Sequence, residues 1–211
     1  MMPLMVTSPE TLVKLASTPQ LEPELSALQR LGDAGLSLAP LRIVPAEVEE
    51  TFYRTNNLPA QLSNLFEGLD LSNPDEDDIE ELAPEAQALL KAHFLLDETI
   101  DLFYEGLSPL PSRVRVRRGG GNPEEEPGHT ATRGRPALIA LKNVWVEDWS
   151  FDALMARLEK RHSVALQARP VIVSAVGLEP TPDLGERATE IIGREVTVFS
   201  EPDLGITGVR L

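Results

Sequence analysis

His93, Asp97 and Asp101 stand at successive intervals of four residues, with Glu98 beside the second. Imidazole and carboxylate are ligand types that divalent metals accept, and one helix can present them along one side. On an unbroken helix, however, His93 falls inside the apolar stripe and Asp101 lies about 80° round from it. A histidine packed in an apolar seam is therefore expected, with metal binding as the alternative. The run Asp70 to Glu81 (DLSNPDEDDIEE) has the acid density of a calcium loop. Neither register places a glycine at the turn together with the required ligands. It reads instead as a solvated linker whose acids favour the start of the next helix.

Arg113, Arg115 and Arg117 alternate with Val114 and Val116, and Arg118 follows. Period-two alternation predicts a strand with one arginine face. Guanidinium groups bind phosphate and carboxylate through paired hydrogen bonds, so these four are the candidate anion-binding residues. Against nucleic acid, Glu124, Glu125 and Glu126 share the same segment and no aromatic is interleaved for stacking. Trp145 alone does not supply the aromatic pair of an RNA-binding sheet. A contact with the acidic half of this chain, or with a partner, is the competing use of the arginines. Gly119, Gly120 and Gly121 are followed by neither Lys-Ser/Thr nor a helix, so no phosphate-cradling loop is expected. There is no cysteine and no Gly-x-Ser-x-Gly, and the three histidines are scattered. No nucleophilic machinery and no cofactor are expected.

Glu98-x-x-Asp101 is similar to the carboxylate pair of the all-α nucleotide pyrophosphohydrolases, which resemble four-helix bundles that use magnesium. The upstream Glu-Glu-x-x-Glu of that pattern is missing: Glu80-Glu81 is followed by Glu85, and Glu49-Glu50 by no further acid at the needed distance.

The elements that would position these residues divide the chain. Residues 1–107 read as a mainly helical, acidic domain. Short helices follow Ser8-Pro9 and run from about Glu22 to Ala34, and others begin near Pro45 and Pro59, with a brief strand at Leu41 to Val44. A long helix is expected from Ile79 to Gly106, with Leu82, Ala86, Leu89, His93, Leu96, Ile100 and Phe103 on one stripe. Leu95 and Leu102 fall on its far side, and Asp97, Glu98, Asp101 and Glu105 share the remaining flank. Residues 108–136 form the basic strand and a flexible Gly/Pro loop from Gly119. Residues 137–211 form an α/β domain: strands at 137–147, 163–168, 171–178 and 195–200, helices at 150–161 and 182–192, and an extra C-terminal strand from Ile206. That order, βαββαβ, is the ferredoxin-like one, with both helices expected on one face. The fold class is α+β.

The formal net charge is -15, and residues 46–105 hold 16 acids against 2 bases. Such a surface repels nucleic-acid backbones and anionic membranes and attracts basic partners. With 42% hydrophobic residues a proper core is expected. The opening MMPLMVTSPETLVKLAS lacks a basic region and a long apolar run, so no signal peptide or membrane span is expected, and a reducing cytoplasm fits the lack of cysteine. The reading is a non-enzymatic intracellular interaction protein, an adaptor, regulator or assembly component, that binds another protein or itself as a homodimer. Its expected interaction residues are Leu95, Leu102, Asp97, Glu98, Asp101 and Glu105 on the long helix. A metal-dependent hydrolase on that helix is the alternative, and nucleic-acid binding through the arginine strand and loop comes third.

Overall fold

The computed structural model describes residues 23–119, 128–161, 163–177 and 179–211. The helix expected after Ser8, the middle of the Gly119–Pro136 loop and His162 lie outside them. The described elements are α1 (Pro23–Asp33), β1 (Leu41–Val44), α2 (Ala46–Thr55), α3 (Leu58–Leu65), α4 (Glu76–Ala92), α5 (Asp97–Leu107), β2 (Arg113–Arg118) and β3 (His129–Thr132). They continue with α6 (Arg135–Glu147), α7 (Phe151–Arg161), β4 (Val171–Ser174), β5 (Glu179–Pro180), α8 (Pro182–Ile192), β6 (Thr197–Glu201) and β7 (Gly205–Arg210). The fold is mixed α+β, with the strands antiparallel in two sheets ordered β1-β4-β2-β3 and β5-β6-β7.

Strand β4 is buried along its whole length, as a run of β-branched residues at a sheet centre should be. Val171 and Val173 enter one apolar cluster with residues of α2 to α7, while Ile172 enters another with α1, α8, β6 and β7. Successive side chains of a strand point to opposite faces, so this sheet is covered on both. Strands β1 and β4 come from either side of residues 108–136 and pair with each other, while β2 and β3 come from within that segment and join through β4.

The ferredoxin-like order is not what forms. Residues 137–147, expected as a strand, lie inside α6. Ala137, Ala140, Leu141, Val144 and Trp145 are buried at helical spacing, and Pro136 sits in the first turn, where a missing N–H costs nothing. Residues 163–168 join no sheet. Helices α7 and α8 fall close to the expected ranges, but Leu154 and Leu158 of α7 bury in the first cluster and Ala188 of α8 in the second. They therefore belong to the two different clusters that meet opposite faces of the β4 sheet.

The long helix is two helices. Helix α4 buries Ile79, Ala83, Ala86 and Leu90, while α5 buries Phe103 and Leu107. On one continuous wheel those two sets are rotated by roughly 100°. A break at 93–96, where His93 and Leu96 both take extended backbone, lets each helix bury its own stripe. No helix among the described residues is long and apolar enough to cross a membrane.

Candidate functional site

The arginine face exists, but it is covered. Arg113, Arg115 and Arg117 share one face of β2, and Arg118 points the other way with Val114 and Val116. Arg117 is buried and grips Glu24 of α1 through both terminal nitrogens, at 2.8 and 2.5 Å. Arg118 donates to both oxygens of buried Glu49 on α2, at 2.7 and 2.8 Å, and pairs with Asp148 just after α6. Arg169 reaches the other oxygen of Asp148 at 3.3 Å, and its backbone N–H donates to Glu49. Burial pulls the Arg118 guanidinium down, but its two carboxylate partners outweigh that and hold it above its ordinary value. Arg115 is buried as well, and only Arg113 of the four is exposed. The strand thus meets acids of its own chain, which is the intramolecular use of these charges rather than an open anion surface.

A cleft of about 400 Å³ opens beside this ion cluster, lined by Glu50, Tyr53, Arg54 and residues 166–168. At its edge Trp149 Nε1 donates to the Tyr53 hydroxyl at 2.6 Å. Burial, and then the nearby Glu49 charge, raise the Tyr53 phenol. The polar groups here are joined chiefly to one another.

The elbow between α4 and α5 has the opposite character. Asp97, Glu98, Asp101 and Glu105 are exposed on α5, as expected. Leu95 is only 8% exposed and packs in the main cluster, and Leu102 is half-buried against it. The two leucines expected to stand uncovered are therefore covered within one chain, by a break that turns Leu95 inward. Two neighbours face water in their place: Phe94 is 79% exposed and Leu96 50%. Three consecutive apolar residues, Phe94-Leu95-Leu96, exceed what one face of a helix buries, and that was the available signal.

The elbow is held from beneath. Lys142 of α6 donates to the carbonyls of Lys91 and His93, at 3.1 and 2.5 Å, and its ammonium stands 5.7 Å from the centre of the Phe94 ring. Asn56 donates to the carbonyl of Phe94 at 3.1 Å. Burial lowers the Lys142 ammonium. Neither Lys142 nor Asn56 stands out in the sequence, because each acts on backbone far along the chain. The break also dissolves the metal constellation. His93 closes α4 with its ring 3.2 Å from Gln61, whereas Asp97 opens α5, so the shared helical side does not exist. Among the described residues no group of three or more histidines and carboxylates is placed to hold a metal.

The sequence matches no protein-family model and no curated protein.

Proposed function

We propose that this is a non-enzymatic interaction protein, an adaptor or assembly component, which docks a basic partner through the α4–α5 elbow. One observation carries the reading: Phe94 stands almost wholly in water on a backbone fixed at three carbonyls by Lys142 and Asn56. A large aromatic held on rigid backbone loses little freedom on binding, which is how anchor residues contribute affinity. Leu96 beside it enlarges the apolar spot, and Asp97, Glu98 and Asp101 form a charged rim that speeds encounter with a basic surface. The same rim disfavours a two-fold homodimer here, because each copy would bring its acids against the other's. A cysteine-free chain fits a cytoplasmic setting for this role.

Affinity capture with quantitative cross-linking tests it. Partners of the wild-type protein should cross-link within residues 91–105 and carry a basic contact surface. Their recovery should fall by roughly tenfold or more, about 1.4 kcal/mol, in Phe94→Ser/Leu96→Ser and in Asp97→Lys/Glu98→Lys/Asp101→Lys. The serine variant should melt as the wild type does, and the lysine variant only slightly lower, because its new cations meet the start of α5. Undiminished recovery of the same partners by both variants refutes the elbow as the docking surface.

A further inference from the structure

A second surface has an unfinished hydrogen-bond ladder. Among the described residues the β1-β4-β2-β3 sheet ends at β3, which pairs with β2 on one side only. Arg133 N–H donates to Ser112 C=O at 2.9 Å, one step beyond the pairing of Arg113 with Thr132. In an antiparallel ladder, backbone groups point at the partner on alternate residues. Residues 129, 131 and 133 therefore point at β2, and the N–H and C=O of Thr130 and Thr132 point outward from the sheet. An open edge of this kind is a template for another strand.

Helix α6 lies alongside and turns the edge into a groove of about 500 Å³, lined by His129, Thr130, Thr132, Arg135, Ile139 and Asn143. Ile139 is 51% exposed there, although it belongs to a helix whose other large apolar residues are mostly covered. The Thr132 end of the groove is basic. Arg135 opens α6 there and is exposed in a protein of net charge -15. At that same end Gly134 caps α6 without a side-chain acceptor, leaving first-turn N–H groups for an anion. His129, at the other end, is joined to Glu147 at 2.8 Å.

We infer that the groove between β3 and α6 binds an extended peptide segment of a partner protein as an added antiparallel or parallel strand. The segment pairs with Thr130 and Thr132, sets a β-branched or small apolar side chain on Ile139, and places a carboxylate beside Arg135. Backbone pairing supplies attachment, while the apolar and acidic positions select the sequence. This surface uses none of the elbow residues, so it stands or falls apart from the reading above.

Selection of a random heptapeptide display library against the whole protein, followed by amide NMR, tests it. Selected peptides should combine an acidic residue with a β-branched one and perturb the amides of residues 129–132 and 139. Hydrogen exchange at the Thr130 and Thr132 amides should be fast without peptide and slow by tenfold or more with it. Thr130→Pro removes one outward N–H while sparing the bonds to β2, as edge strands tolerate. It should weaken binding at least tenfold with an unchanged circular-dichroism spectrum, and Arg135→Glu should weaken acidic peptides alone. N-methylation of the peptide at alternate residues should abolish binding. Failure to select any peptide that protects Thr130, or binders indifferent both to Thr130→Pro and to N-methylation, overturns the inference. So does a concentration-dependent dimer that Thr130→Pro dissolves, since the edge would then serve a second copy of this chain.

Discussion

Arg118 sits where an arginine is costly to place, under 5% exposed between a helix and a sheet. Removing a charge from water is offset only when its hydrogen bonds are met, and Glu49, Asp148 and the carbonyl of Arg169 meet four of them. Arg118→Ala leaves Glu49 buried without its fork and should cost about 3–5 kcal/mol in urea denaturation. The double change Arg118→Met/Glu49→Leu removes both charges and should recover most of that loss. If the double variant is as unstable as the single, the pair is not acting as a unit. Tyr53 gives a pH signature. Its phenol is raised in the folded state, so the fold holds that proton more tightly than the unfolded chain does. Stability from this group is fully present below the ordinary tyrosine value near 10 and falls as pH rises above it. Phenolate absorbance from Tyr53 should therefore appear only together with unfolding, and Tyr53→Phe should flatten the alkaline limb. A Tyr53 phenolate formed in the folded protein would contradict this burial.

The elbow makes a sharp comparison among three neighbouring residues. Leu95→Ala empties a core position and should cost about 2–3 kcal/mol, whereas Phe94→Ser and Leu96→Ser should lie within about 0.5 kcal/mol of the wild type. Equal costs at all three, by thermal or urea melting, would place the break elsewhere. Elements with their own local signature were legible in the sequence: β1, β2, α7, α8 and the two last strands stand near their expected places. The two errors have separate causes. Ile139, Val144 and Val146 gave α6 the look of a strand, and the helical spacing of Ala137, Ala140, Leu141, Val144 and Trp145 carried more information than their propensities. The α4–α5 break lacks proline and glycine, so the rotation between the two apolar stripes and the apolar run Phe94-Leu95-Leu96 are its only local marks. The acids of the elbow were legible as a flank. The run Phe94-Leu95-Leu96 marks an apolar excess, but which side chain stays out is set by backbone that Lys142 and Asn56 hold.

At the scale of the molecule, pairing of residues 41–44 with 171–174 and of 113–118 with the same strand ties distant parts of the chain into one sheet. A protease site introduced between residues 120 and 127 should accordingly give two pieces that stay associated and unfold in a single transition. Pieces that separate and melt independently would support a boundary at 108–136. Local composition suggests that boundary because proline, glycine and charge crowd the chain after β2, while strand pairing over more than a hundred residues leaves no mark in local composition. Glu24 makes the reach of these contacts plain. Its carboxylate, nearly sealed from water, receives Arg117 and also the backbone N–H of Val209, 185 residues further on. During synthesis α1 therefore waits for a strand 185 residues further along. A nascent chain halted at residue 200 holds Glu24 without one of its acceptor bonds, and α1 without β7 to lie against. Until the closing strand emerges, an early helix with an ionised side chain and three leucines on one face is left to holdase chaperones. Release of such halted chains should give protease-sensitive α1, and ten further residues should protect it.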